Sequence, residues 1–265
     1  MAPTPSVTAV RGIHIELIEC GAGRPLLFLH PGIGIEPDAP VLERLATRFR
    51  VLAPTHPGFG RSEAPKSFDT IDDLAYFYLD LLDALDLRDV VMVGVSFGGW
   101  LAAEIAIKST ARASHLVLAN PVGIKVGGRE HRDIVDIFAI SEDEFLELAY
   151  HDASAGKRDY KSMPDADVKA ASRNREATAR YAWSPYMHDP KLKGRLHRVG
   201  IPTLFLWGMS DRVLTEAYGR AYCAALPWAR FEPIERAGHF PHVEQPQAFA
   251  DKVFAFIEGR MTNRD

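Results

Sequence analysis

At 265 residues the chain is long enough to bury a large core, and α/β chains of this length often form one domain. An apolar fraction of 47%, a charged fraction of 25%, a net charge of −4 and a pI near 6.2 are ordinary for a globular protein and argue against a surface made for nucleic acid. No apolar run approaches the ~20 residues of a membrane span. Met1-Ala2-Pro3-Thr4-Pro5 carry no basic segment followed by an apolar stretch, so a cytoplasmic protein is expected.

Residues 6–20 alternate loosely around Arg11-Gly12 and read as a hairpin or two strands at a sheet edge. Pro25 to Leu29 is a buried strand that ends in His30-Pro31-Gly32-Ile33-Gly34, a loop too rich in glycine and proline for regular structure. A helix over about 39–48 and a strand over 50–54 lead to a second turn-rich piece, His56 to Ser62. Thr70 caps a helix over 71–85, with Asp72 and Asp73 in the first turn and a stripe of Leu74, Phe77, Tyr78, Leu81, Leu82 and Leu85. Val90 to Val95 reads as a strand buried on both faces, followed by helix formers from Leu101 to Ile107 and another strand over 114–119.

From Asn120 to about His197 that rhythm breaks. Amphipathic helices are expected over 141–150 and 165–182, with a loop over 152–157. Residues 121–197 therefore read as a helical cap inserted after the sixth strand, over the C-terminal edge of the sheet, which leaves 1–120 and 198–265 as the core. Strands over 201–207 and 229–234, helices over 215–226 and 247–258, and a frayed tail from Met261 to Asp265 complete the chain. Strands alternating with helices imply an α/β fold, a mostly parallel sheet with helices on both faces.

Gly94-Val95-Ser96-Phe97-Gly98 fits the pattern G-x-S-x-G in the context that gives it meaning, after a strand and before a helix. Such a turn strains the serine backbone and holds its hydroxyl above a helix N-terminus, where free N–H groups favour developing negative charge. A serine hydroxyl needs a base, and the base needs a group that fixes its tautomer. In an open parallel sheet these groups collect on loops at the carboxyl ends of strands. Asp211 follows the 201–207 strand and His239 the 229–234 strand, giving the chain order serine, acid, histidine.

Other candidates are weaker. His239 and His242 form a His-x-x-His pair, by itself a weak metal signal, so His242 reads as structural and no metal is expected. Neither glycine-rich loop has the lysine and hydroxyl spacing of a phosphate loop, and no cofactor is expected. Cys20 and Cys223 lack metal or redox spacing and read as small apolar residues.

Five stretches together resemble the α/β-hydrolase-fold serine hydrolases, of the small capped kind that includes many carboxylesterases. They are His30-Pro31-Gly32, Pro57 to Ser62, Gly94 to Gly99, Pro202 to Asp211 and Gly238 to Pro246. The resemblance implies an eight-stranded α/β-hydrolase sheet, with Ser96 as nucleophile, His239 as general base and then acid, and Asp211 as the orienting carboxylate. It also implies an oxyanion hole formed by the N–H of Phe97 and one from Gly32 or Ile33, since Pro31 has none. Two positions depart from the family: Pro31 stands where glycine is more frequent, and His56 where aspartate is. His30 reads as a support for the oxyanion loop from within.

Val122, Val213 and Phe240, with Ile33 and Phe97, would make the pocket largely apolar. Trp183 and Tyr186 are expected to drop onto it from the cap. The expected reaction is hydrolysis of a small or medium carboxylic ester, and the expected partner a small-molecule substrate, with no nucleic acid and no membrane. The oligomeric state stays open, a homodimer included. Similar enzymes cleave carbon–carbon bonds of ring-fission products, but they commonly carry asparagine before the nucleophile and tryptophan after the histidine, where this chain has Val95 and Phe240. Cofactor-free perhydrolases and non-catalytic ligand receptors of the same fold are further alternatives.

Overall fold

The computed structural model describes residues 3–128 and 130–259, so the tail expected from Met261 lies outside it. Eight strands form one sheet: β1 (Ser6–Val10), β2 (Ile13–Cys20), β3 (Pro25–Leu29), β4 (Arg50–Pro54), β5 (Val90–Val95), β6 (Ala113–Ala119), β7 (Thr203–Gly208) and β8 (Ala229–Ile234). Their order is β1-β2-β4-β3-β5-β6-β7-β8. β1 and β2 form an antiparallel hairpin, β2 runs antiparallel to β4, and every later pairing is parallel. β5 lies between β3 and β6 and is buried along its whole length, which is what an uncharged Val-Val-Met-Val-Gly-Val run requires.

Helices α1 (Pro40–Ala46), α2 (Ile71–Ala84) and α3 (Phe97–Lys108) precede β6. Between β6 and β7 come α4 (Glu142–Ala149), α5 (Asp165–Ala182) and α6 (Leu192–Arg195); α7 (Glu216–Ala224), α8 (Pro241–Glu244) and α9 (Pro246–Ile257) follow β7. α2 packs on α3 and α1 on α9, so the sheet carries helices on both faces. Thr70 starts α2 with a full capping box: its hydroxyl accepts from Asp73 N at 3.2 Å while the Asp73 carboxylate accepts from Thr70 N at 2.9 Å. Such a cap stabilises by about 1 kcal/mol.

Two connections position the site. The chain leaves β3 toward β4 on one side and leaves β5 toward β6 on the other. The carboxyl ends of β3 and β5 therefore form a topological switch point, where an open α/β sheet leaves a crevice. The stretch between β6 and β7 lies over that crevice. Asn174 on α5 donates to Ile33 O at 3.0 Å, Arg173 to Ser62 O at 2.7 Å, and the Tyr181 hydroxyl to Pro57 O at 3.0 Å.

The elements follow the sequence pattern closely, with differences confined to short pieces. Residues Ala153–Gly156, within the expected loop, form a 3-10 turn started by Asp152, whose carboxylate accepts from Ser154 N at 3.0 Å. α6 and α8 are four residues each, too short to leave a helical period in the sequence. β7 begins at Thr203 because Pro202 has no N–H to give to a ladder.

Candidate active site

Ser96 occupies the turn from β5 into α3 with φ 52° and ψ −115°, a conformation costly for any residue with a side chain. Close backbone approach holds it there. A Cβ on Gly94 would lie 2.3 Å from Gly98 O, and one on Gly98 would lie 2.0 Å from Leu29 O, so only glycine fits on either side of the turn. The serine hydroxyl makes no bond to the start of α3 and is left for other work. It lies 2.7 Å from His239 Nε2.

His239 is buried, and its Nδ1 lies 2.8 Å from Asp211 Oδ2. Its backbone N–H donates to Ala149 O at 2.6 Å, at the end of α4. Four donors converge on the Asp211 carboxylate. Val213 N at 2.8 Å and Leu214 N at 3.1 Å reach Oδ1, while Oδ2 accepts from Asn120 Nδ2 at 2.7 Å and from His239. Asn120 follows β6 in the left-handed region, φ 41°, which asparagine tolerates, and its Oδ1 accepts from Gly208 N at 2.9 Å. Glu244 on α8 ties the histidine loop to the inserted segment, accepting from Gly238 N at 2.7 Å and from His151 N at 2.9 Å.

Ser96, Phe97 and His239 open onto a cavity of about 340 Å³. Gly32 and Ile33 form its wall at the end of β3. Among the described residues the N–H groups of Gly32, Ile33 and Phe97 have no protein acceptor. α5 holds this loop from above, with Thr178 Oγ1 3.0 Å from Gly32 O; a Cβ on Gly32 would come within 2.7 Å of that oxygen. Beneath the loop, His30 and His56 stack with ring centres 3.7 Å apart. Burial pushes His30 down to about 4, while burial and the neighbouring His30 hold His56 well below its ordinary value, so both rings are neutral.

The alpha/beta hydrolase family model matches residues 26–252. The chain belongs to that family. It is similar to the 2-hydroxy-6-oxo-2,4-heptadienoate hydrolase of Pseudomonas putida, 29% identical over 269 residues that cover 93% of each chain. Among solved structures it resembles a meta-cleavage product hydrolase from Pseudomonas fluorescens, with TM-score 0.74, 19% identity, and coverage of 97% of this chain and 98% of that one. It also resembles the naproxen esterase of Bacillus subtilis, with TM-score 0.76, 19% identity, and coverage of 96% and 91%. At those identities the two structures speak for the fold.

In this family member Ser96, His239 and Asp211 come together from three strand ends, and Phe97, Gly32, Ile33, Val122, Val213 and Phe240 line the cavity. Trp183 and Tyr186 do not. Trp183 is exposed, with its ring on Phe138, and the Tyr186 hydroxyl is engaged on the far side, accepting from Ile137 N at 2.9 Å and donating to Val135 O at 2.9 Å. From their stretch it is Met187 that reaches the cavity. The sequence reading also missed Asn120, Glu244, Asn174 and Thr178. Asn174 and Thr178 left a signal: they are polar residues on the stripe of α5 that carries buried Ala177 and Tyr181.

His242 is buried among the rings of Phe28, Phe240 and Phe249, and its Nδ1 has no hydrogen-bond partner. Burial, with a smaller contribution from His239, pushes it down to about 3. Among the described residues no group of three or more His, Cys, Asp or Glu side chains has the makings of a metal site, and no helix is long and apolar enough to cross a membrane.

Proposed function

We propose that this hydrolase cleaves a small or medium carboxylic ester through an acyl-enzyme on Ser96. One observation carries the reading: Ser96 Oγ, both nitrogens of His239 and Asp211 Oδ2 form an unbroken chain with links of 2.7 and 2.8 Å at the wall of a mostly apolar cavity. His239 Nε2 takes the serine proton as Oγ attacks the acyl carbonyl. Asp211 keeps the Nδ1–H tautomer in place and favours the imidazolium that forms. The tetrahedral oxyanion accepts from Phe97 N–H and from Gly32 or Ile33 N–H. Each such donor is worth roughly 3 kcal/mol of barrier. His239 then protonates the departing alkoxide, and water repeats the sequence on the acyl-enzyme.

Residues 121–197 act as a cap on a core of 1–120 and 198–265, closing the cavity and choosing its ligands. The net charge of −4 and the unpaired Cys20 and Cys223 are in keeping with a cytoplasmic enzyme that takes a small neutral or weakly charged molecule. The test is a fluorophosphonate label followed by a chain-length series of p-nitrophenyl esters. Labelling of Ser96 with ester turnover is expected; labelling elsewhere, or no turnover of any ester, would refute the reading.

A second reading, carbon–carbon bond hydrolysis, draws on the name of the Pseudomonas putida relative. It predicts that a 2-hydroxy-6-oxo-dienoate is consumed at least as fast as the best ester.

A further inference from the structure

Three buried side chains that line no part of the cavity, those of Tyr78, His56 and His30, make two hydrogen-bonded branches into the oxyanion loop, one ending at His30 O and one at Pro31 O. Tyr78, on α2, has its hydroxyl 2.5 Å from His56 Nδ1. His56 Nε2 lies 3.0 Å from His30 O, and His56 N donates to His30 Nε2 at 3.0 Å. His30 Nδ1 lies 2.7 Å from Pro31 O. The partners fix every proton. A carbonyl only accepts, so His30 carries its proton on Nδ1 and His56 on Nε2. His56 Nδ1 is then an acceptor, and the Tyr78 hydroxyl donates to it. The Tyr78 hydroxyl and the His56 ring thus donate as far as His30 O, while His56 N–H and the His30 ring lead to Pro31 O. The two accepting nitrogens, His56 Nδ1 and His30 Nε2, need neutral rings, the state that burial imposes.

Pro31 O belongs to the peptide whose other side is Gly32 N–H. In a trans peptide the carbonyl and the N–H point in opposite directions. Pro31 O is anchored twice, by His30 Nδ1 and by Gly34 N at 2.9 Å. With the oxygen turned inward, Gly32 N–H is turned toward the cavity that Gly32 lines with Ser96 and Phe97. The start of α3 abuts the same loop, since a Cβ on Gly98 would lie 2.5 Å from His30 O. Donation to a carbonyl also polarises its peptide, and bonds in a chain strengthen one another.

We propose that Tyr78 and His56 are positioning residues which clamp His30, by its carbonyl through the His56 ring and by its ring through His56 N–H, so that His30 fixes Pro31 O and Gly32 N–H serves as the second oxyanion donor beside Phe97 N–H. This rests on the acyl-enzyme reading above. It also gives the departure at position 56 a role: a histidine there relays a tyrosine hydroxyl, because one ring nitrogen accepts while the other donates, which an aspartate cannot do.

The test compares Tyr78→Phe, which deletes only the terminal donor, with His56→Phe, which keeps a ring on His30 but deletes both ring bonds. Ester turnover is measured beside binding of an alkyl boronic acid, whose tetrahedral adduct with Ser96 puts an oxygen in the same hole. Both variants are expected to lose kcat, by about threefold to tenfold for Tyr78→Phe and more for His56→Phe, with loss of a donor outright, ~10², as the ceiling. Boronate affinity falls by the same factor, while KM stays within about twofold. A merely structural role would not link kcat to boronate affinity at constant KM. Unchanged kcat and boronate affinity in folded Tyr78→Phe overturns the proposal, as does a rise in KM alone. Should His56→Phe fail to fold, Tyr78→Phe decides by itself. Ser96→Ala, assayed in parallel, separates the two failures: if it keeps activity the acyl-enzyme reading falls, whereas an inert Ser96→Ala beside a wild-type-like Tyr78→Phe overturns only the positioning role.

Discussion

Ser96 and Asp211 hang from the ends of strands paired on both sides, and His239 from the end of the edge strand β8, whereas the roof of the same cavity hangs from α4 and α5, whose outer faces meet water. The strand-end half is over-determined. Asp211 alone receives four donors, and Ser96 is pinned between two glycines that nothing larger could replace. The roof half rests on fewer bonds, chiefly those of Asn174, Thr178 and Tyr181 to the loops below. Under the proposed function the contrast divides the labour: the sheet would set the chemistry, and the insertion would set which molecule receives it.

The sharpest break of that contrast is at Ser96, the proposed nucleophile. Ser96→Ala removes the hydroxyl proposed to react without touching the start of α3, since the side chain makes no cap bond there. We expect kcat to fall on the order of 10⁶, as in comparable triads, with the melting temperature unchanged within a few degrees. Steady-state assay and calorimetry on one preparation check both, and a fall of less than a hundredfold would move the chemistry away from Ser96.

The floor of the site also sets an acid limit that the roof does not. His30, His56 and His242 are all buried and neutral, with His30 pushed down to about 4 and His242 to about 3 chiefly by burial. In the unfolded chain each titrates near ~6.5. Below that pH the unfolded state binds more protons than the folded one, so stability is fully present above ~6.5 and is lost as pH falls toward about 4. Three such groups together give at most about 4 kcal/mol per pH unit. Denaturant midpoints between pH 7.5 and 5 measure the slope. His242→Phe, set among Phe28, Phe240 and Phe249 with no hydrogen bond to lose, is expected to lower it by about one proton, ~1.4 kcal/mol per pH unit. An unaltered slope would mean that His242 is not titrating with unfolding.

Asn120 tests how much the strand ends depend on their supports. Asn120→Ala removes a donor to Asp211, leaves Gly208 N–H without its acceptor and strains a residue at φ 41°. An unpaired buried N–H costs roughly 1–3 kcal/mol of stability. We expect kcat to fall about tenfold to a hundredfold while KM holds, because the carboxylate keeps its two backbone donors but loses its lateral anchor. A rise in KM with kcat intact would place Asn120 on the substrate side instead.

What could be read in advance follows the same division. β5, the serine turn and the loops carrying Asp211 and His239 were legible because buried strands and sharp turns leave local marks: an uncharged β-branched run, paired glycines, a chain order of functional groups. The roof left none so plain. Trp183 and Tyr186 are aromatic and sit near the return to the sheet, yet one faces water and the other reaches back to Val135 and Ile137. Which face of a short connecting segment turns inward depends on contacts far away in sequence, and composition does not encode it. Asn120 escaped notice because a single asparagine after a strand is indistinguishable from a turn residue until its partner, 91 positions on, is in view.

The smallest of these effects bears on the roof alone. Phe145, half-buried on α4, lines the cavity and meets Phe240 edge-on with ring centres 6.3 Å apart. Phe145→Ala would extend the apolar space beside Phe240 without touching Ser96, His239 or the loop of Gly32. A methylene more or less in such a pocket is worth about 1–3 kcal/mol of discrimination. The ratio of kcat/KM for a p-nitrophenyl octanoate over the acetate is therefore expected to rise about tenfold, ~1.4 kcal/mol, with the change carried mainly by KM. A chain-length profile identical to that of the parent would mean that the roof does not set selectivity, and that the strand-end loops choose the substrate as well as cleave it.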